Sequence, residues 1–558
     1  MAPVSIKYRL DAQHAMLRGI NLLADTVGVT LGPCGRTVLI EAGQANSVPR
    51  ITKDGVTVAD TLELAGRYEQ MGLRLIRRAG QRVGEEFGDG TTTTILLARA
   101  LAAEGLKAIA AGYDPMALRL AIRRGVSVLV AELQRKAQPL RGREDFDRIA
   151  TISANGEVAL AVVISEAFES VGAEGVVSVE AGEAFHTTWL KLSGLQWGDG
   201  YISPYFMTDA ATTECRYNNP LILLTEHRLE NHAPLLKPLE AAVRAKRPLL
   251  IVAEDVIGEA LQTLIVNKIK NNLRVVAAKG PLFGDRRRDA LQDLAVVTGA
   301  TLVSDRRGDD MSVIDPAVLG GAERIVLTKD RTTIIGGEGD LAAVALRAES
   351  IRADQGLKGN TPFQEKVLRE RLAKLTGGVA VVRVGGASQT EIGERRDRAE
   401  DATSALRAAA VDGILPGGGT AYVHAARVLA DEGSDEARAA TRILRRALAA
   451  PAMRIAKNSG YDGPRTVALS AENENPRHGF DAQIGIFGDL MEFGIVDPAR
   501  VVIAALEAAN SVATLFLTVE AVVAKPPAPT RPTKADDIPF GPEAKDMTPE
   551  EAGGFGLV

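Results

Sequence analysis

The stretch GDGTTTTILLARALAAEGLKAIAAG, from Gly88 to Gly112, sets two glycines, an aspartate and four threonines ahead of an apolar run. From Thr91 onward this pattern predicts a helix. The first amides of a helix lack intrahelical partners, and the helix dipole adds positive potential there. Phosphate is a natural ligand of such a helix start, where the threonines offer hydroxyl donors and Asp89 a magnesium ligand. The same residues also suit a helix that is capped by Asp89 or a threonine and binds no ligand.

Helical patterns surround this stretch in the N-terminal part of the chain and return in the C-terminal part. A pattern of alternating strands and helices lies between them. Residues 7–32, 64–83 and 115–138 have apolar residues at helical spacing. Residues 193–378 instead contain short β-branched runs separated by helical segments, which is typical of an α/β domain. Alanine-rich helices return after residue 386 and continue to 523. The sequence therefore predicts an α/β domain inserted into a helical domain that both chain ends complete.

Bulk composition predicts a soluble, multidomain protein of the cytoplasm. The chain has 558 residues, of which 46% are hydrophobic and 25% charged, and its net charge of -5 does not favour bulk nucleic-acid binding. Two cysteines, Cys34 and Cys215, cannot form a disulfide framework. The N-terminus is charged where a signal peptide needs an apolar core, and no apolar run approaches the roughly 20 residues of a membrane span.

Three more loops have the composition of phosphate-compatible turns: TLGPCGRT (residues 30–37), ITKDGVTV (51–58) and LPGGGTA (415–421). Each also suits an ordinary tight turn. The chain has no Walker A loop, no kinase motif set and no metal-ligand spacing among its six histidines. If the protein binds a nucleotide, the sequence predicts a binding site that uses none of these common motifs.

Eleven motifs together resemble one family. They are TLGPCGR, ITKDGVTVA, GDGTTTT, TISAN, GYISPYF, IVAEDV, GDRRR, AKLTGGVAV, RAEDA, GILPGGG and GIVDP. They occur in the order seen in group I chaperonins, the bacterial GroEL type, and the match covers about residues 5–523. The chain looks like a divergent chaperonin-60 paralogue.

This resemblance implies a multidomain α and α/β architecture. The helical equatorial domain, which binds ATP, would comprise residues 1–135 and 412–524. A small intermediate hinge domain would comprise 136–192 and 379–411, and the inserted α/β apical domain would comprise 193–378. Residues 525–558, with seven prolines and mixed charges, are predicted to be a disordered tail. The family also implies a homo-oligomeric ring of seven subunits, with two rings stacked.

The resemblance further implies a site for ATP with Mg²⁺ and K⁺ in the equatorial domain. Asp89 would coordinate magnesium, Gly90 to Thr93 would hold the phosphates, and Lys53 would lie beside them. Gly418 and Asp497 would contact the ribose, and Asp481 and Ala482 the base region. The full set is Thr30, Leu31, Gly32, Pro33, Lys53, Asp89, Gly90, Thr91, Thr92, Thr93, Gly418, Asp481, Ala482 and Asp497.

Two carboxylates, Asp54 and Asp401, match the hydrolytic pair of the family. One of them would orient or activate the attacking water. Asp401 lies in the intermediate segment, so we expect it to reach the nucleotide only when that domain closes. Without the resemblance, Asp401 in GERRDRAEDA suits a solvated charge on a helix face.

In the predicted apical domain, the resemblance implies a surface that binds non-native polypeptides. A small co-chaperonin ring would later displace these polypeptides into a closed chamber. Its predicted residues are Tyr201, Ser203, Tyr205, Phe206, Leu236, Leu239, Leu261, Ile265 and Val266. An exposed apolar patch is typical of a binding surface, although such helices are also commonly buried on both faces. No nucleic-acid or membrane partner is expected.

Three positions depart from the GroEL pattern. Cys34 stands where the family usually has lysine, and Asp199 and Gln389 stand where it often has arginine and glutamate. Aspartate and glutamine cannot form the ion pair that those two positions make between neighbouring subunits, and so we expect weaker ATP cooperativity.

An ATP-driven folding chaperonin is the leading hypothesis. The alternatives are a weakly hydrolysing holdase or scaffold with specialised clients, and a kinase or ligase acting on small molecules. The presence of Asp54, Asp89 and Asp401 favours active hydrolysis, and no second polar pocket for a small acceptor is apparent. The clients, the number of rings and the co-chaperonin stay open.

Overall fold

Helices dominate the N-terminal part of the chain. The computed structural model describes residues 5–41, 50–154, 156–172, 175–182, 184–209, 212–304, 314–355 and 361–524, so the predicted tail lies outside the described residues. The first elements are β1 (Ser5–Tyr8), α1 (Arg9–Gly28), β2 (Val38–Ile40), β3 (Arg50–Thr52), α2 (Gly55–Thr61), α3 (Arg67–Phe87), α4 (Thr91–Ala110) and α5 (Pro115–Lys136). They are followed by α6 (Arg143–Ser153), α7 (Val158–Val171), β4 (Val176–Ala181) and β5 (Thr188–Leu192).

Strands and helices alternate in the middle of the chain, as predicted. The elements are β6 (Gly194–Trp197), β7 (Cys215–Asn218), β8 (Leu221–Leu224), β9 (Arg228–Leu229), α8 (Leu236–Ala245), β10 (Leu249–Ala253), β11 (Asp255–Val256), α9 (Gly258–Asn271), β12 (Val275–Lys279), α10 (Asp285–Thr298), β13 (Gly320–Leu327), β14 (Thr332–Gly337), α11 (Leu341–Gln355) and α12 (Pro362–Gly377). Seven of these strands form one sheet in the order β12-β10-β8-β13-β14-β6, with β7 also paired to β13. The pairs β8–β10 and β10–β12 are parallel.

The C-terminal part returns to helices and closes the molecule. Its elements are β15 (Val379–Val384), α13 (Gln389–Asp412), β16 (Ile414–Pro416), α14 (Thr420–Ala425), α15 (Asp435–Leu448), α16 (Ala450–Asn458), α17 (Gly463–Glu472), β17 (His478–Asp481), β18 (Ile486–Asp489), β19 (Val496–Pro498), α18 (Ala499–Leu517) and β20 (Ala521–Ala524). Strand β15 joins β4 and β5 in a three-stranded sheet. Strand β20 pairs antiparallel with β1, so the first and last described elements meet.

Three large hydrophobic cores organise these elements. The first takes buried residues from 12–133 and from 415–522. The second lies within 195–375, and the third combines 149–179 with 380–414 and Val496. Two cores therefore join segments that are far apart in sequence, and an inserted domain produces that pattern. The domain boundaries themselves stay a prediction.

Helix α18 shows how an apolar helix serves the first core. Among the described residues it is the one helix long and apolar enough, by length and composition, to cross a membrane, although the sequence predicted none. It packs instead against α3, α4 and α5, and Leu506, Ala509 and Phe516 are fully buried. A core helix of a soluble protein passes the same test of length and composition.

Candidate functional site

The N-terminus of α4 presents free backbone amides. Gly90 precedes the helix with a φ of +90°, and no side chain caps it. The first amide with a backbone partner is that of Thr94, which donates to the Gly90 carbonyl at 2.9 Å. The amides of residues 91–93 thus have no acceptor within the described part of the chain, so their partial positive charge is available to an anion.

The four threonines divide into two that face inward and two that do not. The Thr91 hydroxyl donates to the Gly80 carbonyl at 3.1 Å, and the Thr94 hydroxyl donates to the Gly90 carbonyl at 2.8 Å. Thr92 and Thr93 are half-buried, and their hydroxyls have no partner among the described residues. The expectation that the threonines offer hydroxyl donors is therefore corrected for Thr91, which is buried and offers only its backbone amide.

Helix α13 lies directly against this loop. Gly88, with a φ of +73°, leaves so little room that a Cβ added there would lie 2.5 Å from the Ser404 Cβ and 3.2 Å from the Asp401 Cα. Glycine at this position therefore permits both the left-handed turn and the close approach of α13. The structure thus brings Asp401 against the loop that leads into α4.

Several carboxylates meet here and repel one another. Burial raises the pKa of Asp401 to about 8, with further increases from the charges of Asp89 and Asp54. Burial and the charge of Asp89 raise the pKa of Asp497 to about 7. Burial also raises the pKa of Asp89, and the hydrogen bond that its Oδ1 accepts from the Gly90 amide partly opposes this shift. Such crowding of acids favours the binding of a cation.

The turn that follows α1 forms another wall. Gly32 has a φ of +87°, and the Gly35 amide donates to its carbonyl at 2.9 Å. Asn458 of α16 donates its Nδ2 to the carbonyls of Gly28 (2.9 Å) and Leu31 (2.8 Å). Arg454, one helical turn earlier, donates its Nε to the Gly28 carbonyl at 2.9 Å.

These two side chains of α16 fix the position of the turn, and the sequence analysis missed them. Their i, i+4 spacing puts them on one helix face. That spacing is common on helices, and only the fold shows that this face meets the end of α1.

Asp54 caps a helix, in addition to its predicted role in hydrolysis. Its Oδ1 accepts from the Val56 amide at 3.1 Å and its Oδ2 from the Thr57 amide at 2.7 Å, which caps α2. The adjacent Gly55 lies against the Thr92 hydroxyl. Asp54 therefore holds the start of α2 beside the start of α4, with Lys53 exposed next to it.

The remaining predicted residues enclose the opposite side. Gly417 lies so close to Asp497 that an added Cβ would be 3.2 Å from its Oδ1, and Gly418 follows with a φ of +63°. Strands β16 and β19 set this approach by pairing Leu415 with Asp497.

Residues of the predicted base region lie at the end of β17, beside the turn after α1. The Cys34 sulfur is 3.9 Å from the Ala482 carbonyl oxygen. Asp481 accepts from the Gln483 amide at 2.8 Å, which shapes the β17–β18 hairpin. The fold therefore gathers loops from both ends of the chain around one cleft.

This donor set fits a magnesium nucleotide better than a metal alone. The described residues contain no group of three or more metal-ligating side chains. Mg²⁺ binds through one or two carboxylates when substrate phosphates complete its octahedron. One carboxylate beside free helix amides satisfies that requirement, since the amides hold the phosphates.

The apical residues split into exposed and buried groups. Tyr205, Leu236 and Val266 are 65%, 46% and 46% exposed, and Leu261 and Ile265 are half-buried against the second core. The expectation that every predicted residue lies on the surface is wrong. The buried members are Tyr201, Ser203, Phe206 and Leu239. The first three form or precede the short 3-10 turn Pro204–Phe206, which packs on α9, and Leu239 lies on the inner face of α8.

Comparison with known proteins identifies the family of the chain. Residues 23–527 match the TCP-1/cpn60 chaperonin family. The chain belongs to this family. Two sequences of Chaperonin GroEL 2 from Cereibacter sphaeroides are each 44% identical to this chaperonin over 541 residues, which cover 96% of the chain and 99% of the relative. The predicted membership of the GroEL type is confirmed.

Solved structures give the same fold. The chaperonin gp146 from the bacteriophage EL 2 (Pseudomonas aeruginosa), crystallised in the presence of ATP-BeFx, superposes with TM-scores of 0.71 and 0.63 in two crystal forms. Each comparison covers 93% of this chaperonin and 99% of gp146, at 23% identity. The predicted mixed α and α/β class is confirmed. The family and the relatives support an ATP-dependent chaperonin function, and the holdase or scaffold alternative is not favoured.

Proposed function

We propose that this chaperonin hydrolyses ATP in the cleft between α4 and α13 and uses the cycle to bind, enclose and release non-native polypeptides. The working assembly is a homo-oligomeric ring of seven, stacked in pairs and closed by a small co-chaperonin ring of the GroES type. It acts in the cytoplasm, with Mg²⁺ and K⁺ as cofactor ions. The main support for this proposal is the contact of α13 with Gly88, because Asp401 then lies close to the start of α4 and its free amides.

The chain holds the nucleotide from two sides. The free amides of residues 91–93 and the hydroxyls of Thr92 and Thr93 donate to the phosphates. Gly418 and Asp497 contact the ribose, and the end of β17 contacts the base. The turn that contains Thr30, Leu31, Gly32 and Pro33 lies along the nucleotide, and Asn458 keeps that turn in place. Asp89 is the magnesium ligand, and the ion, when bound, neutralises charge on the phosphate oxygens.

Asp401 acts on the attacking water. A carboxylate whose pKa is raised to about 8 retains a proton far more strongly than an ordinary aspartate, and a general base works best when its pKa lies near the operating pH. Asp54 holds the start of α2 beside the start of α4 through its cap, and its negative charge contributes to the raised pKa of Asp401. Because Asp401 belongs to α13, hydrolysis depends on the packing of that helix against the loop.

An Asp401→Asn variant tests this assignment. Asparagine keeps the size of the side chain but cannot accept the proton, so we expect ATP hydrolysis to fall by about 10²–10⁴-fold while ATP still binds. Glu394→Gln, which neutralises an exposed carboxylate on the same helix, is the matched control and should retain the wild-type rate. A wild-type hydrolysis rate in Asp401→Asn would contradict the proposal.

The apical surface receives the polypeptide. Tyr205, Leu236 and Val266 provide exposed apolar area, and Leu261 and Ile265 contribute partly exposed edges. Apolar patches of this kind bind the apolar segments that unfolded chains expose. Retention of a chemically denatured protein by the purified ring, and its release on addition of ATP with the co-chaperonin, tests this part.

A further inference from the structure

Helices α8 and α9 share one face of the large sheet. The chain runs from β8 through α8 to β10 and then through α9 to β12, and these three parallel strands are neighbours in that order. Right-handed crossovers in one direction put both helices on the same side of a sheet. Arg274, which follows α9, also donates to the backbone carbonyl of Lys246, the residue that ends α8. The two helices therefore present one continuous outer surface.

This outer surface, the α8/α9 face, is both apolar and basic. Its exposed apolar residues are Leu236, Val243, Val266 and Ile269, which are 46–63% exposed. Its basic residues are Lys237, Arg244, Lys246 and Lys270. None of these four cations forms an ion pair with another described residue, and Glu240 is an exposed acid among them. Unpaired cations around apolar side chains favour a ligand with acidic and apolar groups.

The chain itself contains such a ligand outside the described residues. Residues 536–558 read DDIPFGPEAKDMTPEEAGGFGLV, with six acidic residues and a single lysine. The same segment contains the apolar side chains Ile538, Phe540, Met547, Phe555 and Leu557. The segment therefore matches the α8/α9 face in charge and in apolar content.

The segment is long enough to reach that face. Residues 525–558 follow β20 and, fully extended, span about 110 Å. A compact domain the size of residues 193–378 has a radius of gyration of about 16 Å, so the extended tail is longer than two such domains are wide. The tail of one subunit therefore has the reach to contact the α8/α9 face of its own subunit or of a neighbour.

We propose that the acidic segment 536–558 docks on the α8/α9 face and competes there with client polypeptides. The docking itself requires only the charges and apolar groups described above; the competition rests on the proposed function. Clients displace the segment when their own apolar and acidic groups bind more strongly. The chaperonin thereby rejects weakly binding chains, since each of them must first compete with an internal ligand.

Zero-length cross-linking tests the contact in the full chain. A carbodiimide joins a lysine amine to a carboxylate only when the two groups touch. We expect cross-links from tail acids to Lys237, Lys246 or Lys270. The ion pairs Lys279–Asp255 (3.1 Å) and Lys136–Glu132 (3.0 Å) are internal controls that must also react. Control cross-links without any tail link to the α8/α9 face would overturn the docking.

Competition is measured with a labelled synthetic peptide of residues 536–558. Neutralising the six tail acids of the full chain (D536N/D537N/E543Q/D546N/E550Q/E551Q) should increase peptide affinity about tenfold, because a tethered ligand at about 1 mM effective concentration no longer occupies the face. Neutralising tail cations instead (K525Q/R531Q/K534Q) is the matched control and should give no such increase. In K237Q/K246Q/K270Q the peptide should bind weakly. Equal affinity in the wild type and the acid-neutralised variant would refute the competition.

Two outcomes separate this inference from the proposed function. If the ring retains no denatured protein but the tail cross-links form, the polypeptide-binding proposal fails and the docking stands. If carboxylates of an added client cross-link to these lysines and tail carboxylates never do, the face belongs to clients alone and the docking fails.

Discussion

Replacing Gly88 with alanine should separate ATP binding from ATP hydrolysis. The φ of +73° at Gly88 lies in the left-handed region, which costs a residue with a Cβ about 1–2 kcal/mol. The new methyl carbon would also lie 2.5 Å from the Ser404 Cβ, so α13 must move away by roughly 1 Å to restore an ordinary contact. Misplacing a catalytic group by about 1 Å can reduce the rate about 10²-fold. ATP affinity should change much less, because residues 91–93 stay in place.

Gly112→Ala is the control for the cost of placing a residue with a Cβ in the left-handed region. Gly112 lies just beyond the other end of α4 with a φ of +101°, and an added Cβ meets nothing within 4 Å. It should reduce stability by about the same 1–2 kcal/mol and leave the rate per bound ATP unchanged. In the double variant Gly88→Ala/Ser404→Gly, removal of the Ser404 Cβ should restore part of the rate. Single-turnover hydrolysis with saturating ATP measures each rate, and an unimpaired Gly88→Ala would refute the argument that α13 must touch this loop.

Four further predictions concern other parts of the structure. Thr92→Val should weaken ATP binding in calorimetric titration, because that hydroxyl has no partner among the described residues and is free to donate to a phosphate. Thr94→Val should instead lower the free energy of unfolding by about 1 kcal/mol through the loss of a buried hydrogen bond. Burial lowers the pKa of His424, so the unfolded chain binds more protons there as the pH falls through about 6.5, and the stability that neutral His424 contributes above that pH is lost below it. Hydrogen exchange in the β17–β18 hairpin, corrected for intrinsic rates, should therefore be faster at pH 5.5 than at pH 7.5, and equal protection would contradict this. Asp293→Ala should destabilise the second core by about 3–5 kcal/mol in denaturant titration. The Asp293 carboxylate lies 2.7 Å from the Arg347 Nε and 2.8 Å from the Arg371 Nε, and its removal leaves both arginines without their buried partner. The rate of ATP hydrolysis against ATP concentration should give a lower Hill coefficient than that of a GroEL-type ring with the arginine–glutamate pair, and a coefficient as high as that ring's, retained in Asp199→Ala, would refute the loss of that ion pair.

Periodicity predicted the long helices within a few residues. The pattern over 91–111 corresponds to α4 (Thr91–Ala110), and that over 115–138 to α5 (Pro115–Lys136). The helix predicted from Lys7 to Gly32 is α1 (Arg9–Gly28). That prediction extended the helix four residues too far into the glycine-rich turn also predicted over residues 30–37, where the Arg36 amide donates to the Val29 carbonyl.

Side-chain direction was much harder to predict. Four consecutive threonines look equivalent in sequence, yet Thr91 and Thr94 face α3 and the helix interior while Thr92 and Thr93 do not. The apolar residues of GYISPYF were predicted to lie on the surface, but Phe206 is fully buried because its turn packs on α9. Direction depends on the neighbouring elements, and the composition of a short motif contains no information about them.

The shape of the nucleotide cleft depends on long-range contacts. Asp401 and Gly88 are far apart in sequence, and only the packing of α13 on the α3–α4 loop brings them together. The resemblance implied that Asp401 approaches the nucleotide when the intermediate segment closes, whereas the local pattern of GERRDRAEDA alone favours an exposed charge on a helix face. Asn458 was missed for the same reason, since its function is to hold a turn more than 400 positions earlier.

Cryo-electron microscopy of the full-length protein with a non-hydrolysable ATP analogue tests the central claim most directly. We predict analogue density along residues 88–93, with the terminal phosphate beside the Asp401 carboxylate and α13 packed on Gly88. A cleft without the analogue at saturating concentration, or an analogue whose terminal phosphate Asp401 approaches in no particle class, would contradict it.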